Sequence, residues 1–587
     1  MSEISRRATL ALLSATALSP VAGCATAPEA APADQSFEGL SARALDAMAR
    51  QSPVYATQLG DHRFDAELDD FSEAGRRSSA ATRRALQAEL GAIDKTRLSA
   101  AGQVDASMLA NQLSLDAWRE ETSEAWAWDP LPYNEVAGGA LYNLMARDFA
   151  PLPERLNNAA LRMQKLPGLF AQARANLDLA RVPRVHAETL SRQNAGVVSI
   201  AEELILPHAD ALGPSDRARL NAAVETLRAS VAEHQTWIDG TLVPGARGDF
   251  RIGAQRYDEK LALALNSTLS RAEIKTRAES EIERIRGEMA EIAGQIVTPP
   301  ANERWTAQRM IAQALERAYA DRPARNEVVQ VCEASLARCT NFVREHDLMT
   351  LPDAPVNVIL MPEFQRGVAV AYCDSPGALD RGQATFYAVS PIPDDWTDEQ
   401  TASFLKEYNN HSIQELTVHE AMPGHYAQIW HSNRYPSTLR AALSSGVFVE
   451  GWACYAQDMM IASGSAGDDL LARLVNLKWA LRVVSNAILD QAVHVDGMSR
   501  EEAMQLMTET TFQQEREAAG KWVRASVSSA QLPTYFIGWT EHHALRREAE
   551  QRWGTSFTQK RYHDTVLSFG SPPVRHARAL MFGEAIG

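Results

Sequence analysis

The sequence has little cysteine: five residues in 587, at positions 24, 332, 339, 373 and 454. So few cannot staple a body of this length, which must therefore hold by packing rather than by a disulfide framework. Cys332 and Cys339 fall on one expected helix, about 10 Å apart along its axis, beyond disulfide reach. Basic residues are also in deficit. Lys and Arg number 58 against 74 Asp and Glu, a formal net charge of −16, which repels phosphates and argues against a nucleic-acid partner. After the N-terminal segment there is no second long apolar run, so the body is expected to be soluble. No repeat of 20–50 residues is present, which excludes a solenoid. Also missing are a G-x-S-x-G elbow, a Walker loop and a dinucleotide fingerprint. Ser403-Phe404-Leu405-Lys406 fits S-x-x-K, but the SDN and KTG companions of penicillin-binding enzymes are absent.

What is present begins at the N-terminus. Arg6-Arg7 precede an uncharged stretch from Ala8 to Gly23, followed by Cys24. A basic start with a short apolar run reads as a secretory signal, since a membrane span needs about 20 apolar residues. Val21-Ala22-Gly23-Cys24 has the form of a bacterial lipobox, which implies cleavage before Cys24 and lipid on its sulfur and amine. The alternative is a plain signal with a chance cysteine. Ser5-Arg6-Arg7 forms only an incomplete twin-arginine motif. The expectation is a signal peptide over 1–23, lipidation at Cys24, and a Pro-rich flexible tether over 24–36. The chain would then be an exported lipoprotein of the bacterial cell envelope, attached to the membrane through its lipid anchor.

The length calls for two or three packed sub-domains. Periodicity is mostly helical. Ile282, Ile285, Met289 and Ile292 recur at helical spacing within 274–296, and Phe404, Ile413 and Leu416 do so within 401–422. The segment 447–461, with Glu450 inside it, is also expected to be helical. Strand signals are few: 356–361 (VNVILM) and 385–389 (TFYAV), which could pair beside the site. The predicted fold class is mainly α: a large two-lobed helical body with a small sheet. Its boundary, near Gly245 and Gly248, would separate an N-terminal lobe over 37–250 from a catalytic region over 251–587.

The most informative stretch is Thr417-Val418-His419-Glu420-Ala421-Met422-Pro423-Gly424-His425, with Glu450-Gly451-Trp452 further on. Two imidazoles and a remote carboxylate suit a zinc ion, and the glutamate beside the first histidine can handle protons. On a straight helix the two histidines would stand about 240° apart and could not share an ion at the usual ~2.0–2.1 Å. Pro423 and Gly424 provide for a broken helix that brings His425 back toward His419. His419, His425 and Glu450 are thus the expected zinc ligands, with one position open for water. Glu420 would be the general base and then the proton donor to the leaving amine. Zinc can lower the pKa of water from 15.7 to about 7, which makes a nucleophile available at neutral pH.

His419-Glu420-Ala421-Met422-Pro423-Gly424-His425 resembles the HExxPGH signature of the bacterial domain of unknown function 885 family, related to zinc peptidases. Pro53, Ala56-Thr57 and Leu59-Gly60-Asp61-His62-Arg63 resemble its opening pattern, and Gly253 with Tyr257 its middle. Glu450-Gly451-Trp452-Ala453 and the series Pro533, Tyr535, Gly538, Arg546 resemble later blocks, so the likeness runs over nearly all of 37–580. The resemblance implies a mostly helical zinc-peptidase-like body with His419, His425 and Glu450 on the metal and Glu420 as base. It further implies that Tyr535 donates a hydrogen bond to a tetrahedral oxyanion; the alternative is a packed core tyrosine. Arg546 is either a binder of substrate carboxylate or half of a helix-surface ion pair, the latter preferred. Tyr426 stands where many relatives carry a further histidine.

The expected activity is zinc-dependent hydrolysis of peptide or related amide bonds. Two alternatives stand: a non-catalytic metal-binding envelope protein, and a zinc amidase acting on a non-peptide metabolite. His542, His543 and His563 read as structural or surface residues, and Trp126 and Trp128 as core or cleft lining.

Overall fold

The computed structural model describes residues 32–366 and 370–586. The expected signal segment and Cys24 lie outside the described residues. A helix spanning Pro32–Gln51 begins inside the segment read as tether, so the stretch from Pro32 onward is helix rather than linker.

The chain is mainly α with a small three-stranded sheet. Helix ends follow their capping chemistry. The long helix Arg271–Ile296 starts from a reciprocal capping box between Ser270 and Glu273. It turns Ile282, Ile285 and Met289 inward, and Ile292 packs against the same core. One apolar core gathers residues from Leu131 to Ala246, joined by Phe364; another gathers residues from Tyr257 to Ala577. A smaller core unites Phe37, Leu40 and Leu109 of the early helices with Leu439 and Leu443. Between those last two, the fully buried Arg440 reaches Asp105 Oδ1 at 2.5 Å and donates to the carbonyls of Ala101 and Phe569.

The strands are β1 (Val356–Leu360), β2 (Ala371–Asp374) and β3 (Thr385–Val389). The two expected strands pair in parallel, Val356 opposite Thr385, and β2 adds antiparallel on the far side, giving the order β1-β3-β2. At the end of β2, Asp374 accepts from Tyr142 at 2.8 Å and pairs with Arg147 at 2.9 Å, tying the sheet to the first core's helices.

The helices around the site are α1 (Asn410–Glu420), α2 (His425–Ser432), α3 (Gly446–Ala462), α4 (Leu470–Gln491), α5 (Glu515–Val527) and α6 (Pro533–Trp553). The single helix expected over 401–422 is two, Asp398–Glu407 and α1. Asn409 makes the break: its side-chain oxygen accepts from the backbone of His411 and Ser412 and so caps a new helix. β3 runs beneath α1, where buried Tyr387 meets Thr417 through their hydroxyls at 3.4 Å.

A candidate metal centre

The α1–α2 turn is built from its backbone. α1 ends at Glu420; the amides of Ala421 and Met422 both return to the Thr417 carbonyl, and that of Gly424 to Val418 at 2.9 Å. The chain folds back so closely that a Cβ on Gly424 would lie 2.0 Å from the His419 carbonyl oxygen. Gly424 has φ −72°, so glycine is needed there for space and not for a left-handed conformation. His425 then opens α2. The expected broken helix is present, and its physical reason is this close approach.

Glu450-Gly451-Trp452 closes the site from α3, each residue with a separate task. Glu450 faces the histidines. Gly451 meets Gly538 of α6, where a Cβ on either glycine would come within 2.3 Å of the other helix's backbone. Trp452, fully buried, donates from its indole nitrogen to the Pro423 carbonyl at 2.9 Å and pins the turn to α3.

The three expected ligands converge, with ligand atoms all within 4.8 Å of one another. His419 Nε2 lies 3.7 Å and His425 Nε2 3.4 Å from Glu450 Oε2. Zinc ligands at ~2.0–2.1 Å would stand about 3.3 Å apart, a spacing that the His425–Glu450 contact nearly matches and the His419–Glu450 contact approaches. Glu450 Oε2 is buried without a hydrogen-bond partner among the described residues, as are both Nδ1 atoms. Burial opposes ionisation of Glu450, but the two imidazoles prevail and hold its carboxyl below the usual range. Burial also opposes protonation of His425, and Glu450 reverses that and raises its pKa. Glu420, at the end of α1, is buried, and its carboxylate meets no donor among the described residues.

Tyr535 stands over the site from α6, its ring nearly parallel to that of His419 with centroids 6.2 Å apart. Its hydroxyl accepts from Arg524 Nη2 of α5 at 3.0 Å. Gln531 bridges the same groups, accepting from Arg524 at 3.2 Å and donating to Glu450 Oε1 at 3.4 Å. The turn carrying Gln531 is anchored by buried Asp490, which accepts from the amides of Ala530 and Leu532, both at 3.1 Å. Gln531, Arg524 and Asp490 were not anticipated. Only the neighbouring Pro533–Tyr535 block hinted at the region.

The other candidates are engaged elsewhere. Arg546 pairs with Glu550 one turn along α6 at 3.1 Å, while its Nε is buried without a hydrogen-bond partner among the described residues. His542 meets the Phe448 carbonyl, His543 pairs with Asp458, and His563 lies between the Leu348 carbonyl and the Tyr455 hydroxyl. Tyr426 donates to the Ala354 carbonyl and ties α2 to the approach to β1. In the S-x-x-K match, Ser403 accepts from the Arg516 amide and Lys406 pairs with Glu316. Trp126 packs under Arg76, and Trp128 donates to the Ser123 carbonyl.

Comparison with known proteins adds a frame. A family model described as a bacterial protein of unknown function, DUF885, matches residues 53–581. A solved structure from Shewanella oneidensis, provisionally described as a lipoprotein of unknown function, is 33% identical with a TM-score of 0.76. The match covers 93% of this chain and 99% of that one. A second, from Colwellia psychrerythraea and also provisionally described as a lipoprotein, is 18% identical over the same shares with a TM-score of 0.77, a likeness of fold. No curated protein matches.

Proposed function

The chain belongs to the DUF885 family of bacterial proteins of unknown function, and from that premise we propose that it is a zinc-dependent hydrolase of peptide or amide bonds, attached to the cell envelope as a lipoprotein. One observation carries the reading: two imidazole nitrogens stand close to one buried carboxylate oxygen that has no hydrogen-bond partner among the described residues, with a buried glutamate on the residue after the first histidine. The donor set fits. Two neutral nitrogens and one carboxylate suit zinc, and a cation among them satisfies the oxygen that the protein leaves bare. The lipobox and the lipoprotein descriptions of both similar structures support envelope attachment.

His419, His425 and Glu450 would hold the ion, which when bound supplies Lewis acidity to water and to the substrate carbonyl. The chain's own residues do the rest. Glu420 takes a proton from the attacking water as its oxygen bonds to the carbonyl carbon. It returns that proton to the leaving nitrogen as the carbon–nitrogen bond breaks. Tyr535 accepts from Arg524 and therefore keeps its own O–H to donate toward the developing oxyanion. Gln531 steadies Glu450 through its second oxygen.

The test is paired. Elemental analysis of the soluble body should give about one zinc per chain, lost in His419→Ala. Glu420→Gln should keep the metal and lose hydrolysis of a peptide library by roughly 100-fold or more. Absence of zinc from both proteins after reconstitution would remove the reading, and a metal-loaded, fully active Glu420→Gln would remove the assigned base.

A further inference from the structure

Behind Tyr535 lies a buried charge cluster with more cations than anions. It contains Lys478 and Arg482 on α4, and Lys521 and Arg524 on α5. Two carboxylates answer them. Glu407 takes Lys478 at 2.7 Å, and Glu517 takes Arg482 at 2.5 Å. Tyr408 supports the second pair, donating to Glu517 and accepting from Arg482, and Arg482 reaches toward Glu407 at 3.9 Å. Among the described residues Lys521 and Arg524 hydrogen-bond to neutral acceptors only: Asn486 Oδ1 at 3.2 Å for the first, Gln531 Oε1 and Tyr535 Oη for the second. Lys521 is buried, and burial, with Arg482 nearby, favours its neutral amine, while Glu517 and Glu407 act the other way. Arg524 keeps its charge, and a largely desolvated guanidinium with no carboxylate hydrogen-bond partner among the described residues is expensive to keep.

The placement of these cations points to substrate. Arg524 and Lys521 are one turn apart on α5 and share a face. Arg524 touches the tyrosine that stacks on His419 and the glutamine that touches Glu450. The Gln531 amide spans Arg524 and Glu450 with contacts of 3.2 and 3.4 Å, so guanidinium and ligating carboxylate are at most roughly 9 Å apart. An extended residue covers about 3.3–3.6 Å, so an anion at Arg524 lies one or two residues from a carbonyl at the metal. Arg524, Gln531, Tyr535 and Glu450 are all partly exposed, and hydrogen bonds link them in series.

We infer that Arg524, backed by Lys521, binds the free C-terminal carboxylate of the substrate, so that the enzyme is an exopeptidase acting on the last or next-to-last peptide bond. The inference rests on the peptidase reading above. It assigns the carboxylate-binding role to an arginine on α5, whereas Arg546 is taken by Glu550.

The experiment uses the zinc-loaded soluble body and matched short peptides, one set with a free C-terminus and one amidated. Wild type should cleave the free acids and lose roughly 10- to 150-fold in kcat/KM on the amides, the factor for one charge-assisted hydrogen bond. Arg524→Gln should slow both sets through Tyr535 but the free acids far more, so that the preference for acids over amides disappears. Because Arg524 also holds Tyr535, Tyr535→Phe is the control, which should slow both sets equally. Calorimetry on Glu420→Gln gives a readout without turnover. An N-acetyl amino acid should bind, its amide should bind more weakly, and adding Arg524→Gln or Lys521→Met should remove the difference. Equal cleavage of acids and amides by wild type overturns the inference and leaves the peptidase reading intact. Equal loss on both sets in Arg524→Gln also overturns it and makes Arg524 a positioning residue for Tyr535. Cleavage of neither set defeats the peptidase reading itself.

Discussion

Adding one methyl group at Gly538 tests whether the α3–α6 crossing sets the site. A Cβ there would lie 2.0 Å from the Val447 carbonyl oxygen. A relaxed carbon–oxygen contact is near 3.3 Å, so the helices must part by about 1 Å. Catalytic constellations tolerate roughly 0.5 Å and metal–ligand distances about 0.2 Å. The shift therefore exceeds both tolerances, at helices that carry Glu450 on one side and Tyr535 on the other. Overpacking of this kind costs about 1–3 kcal/mol, and a displacement of 1 Å can cost on the order of 100-fold in rate. Gly538→Ala should lower Tm and reduce kcat/KM by ~10- to 100-fold. The control is Gly287→Ala, inside the helix Arg271–Ile296, where an added Cβ meets nothing within 4 Å. That variant should be unchanged or slightly more stable, by up to about 1 kcal/mol. Thermal unfolding and steady-state hydrolysis read both. If Gly538→Ala melts and turns over like Gly287→Ala, the crossing does not set the site and the reasoning fails.

Other consequences can be checked in the same preparations. Trp452→Phe leaves the buried Pro423 carbonyl without its donor, so stability should drop by about 1–3 kcal/mol. Zinc affinity should fall roughly tenfold by chelator competition, and an unchanged affinity would mean the turn holds without the indole. Burial pushes the Glu415 carboxyl up to about 8, with Asn476 donating to it. The folded state keeps a proton that the unfolded state releases near its ordinary value, so stability is lost as pH rises from about 4.5 to 8. Glu415→Gln should therefore match wild type in unfolding free energy near pH 4 and exceed it increasingly toward pH 8, by an amount on the order of a few kcal/mol; a difference independent of pH counts against the shift. Zinc held by the proposed site would stabilise the folded state, so chelation should lower the wild-type Tm yet leave that of His419→Ala unmoved.

The site was legible where chemistry is local in sequence. His419, Glu420 and His425 sit within seven positions, and Pro423-Gly424 announced the break. Glu450 was legible only through its glycine and tryptophan, whose tasks of helix contact and clamping appear once α3 meets α6 and the turn. Periodicity located the long helices and two strands, but Asn409 went unread as a cap because the apolar spacing continues across it. β2 is four residues long, too short for its alternation to register. Arg524 was invisible for a different reason. Its proposed role rests on having no carboxylate hydrogen-bond partner among the described residues, a property of three-dimensional neighbours that no spacing encodes. Arg546 attracted attention from its motif position and proved to be an ordinary helix pair.

Arg440 bears on how such a protein can be inherited. This arginine belongs to the second half of the chain, yet its guanidinium is sealed among Asp105, Ala101 and the early helices. A gene severed between the two large cores would give one product with a stranded aspartate and another with a bare guanidinium. Neither fragment could serve as a free-standing module for shuffling into other proteins. A lineage built this way passes on whole or not at all, and one family model running from residue 53 to 581 is the record that such a joint would leave.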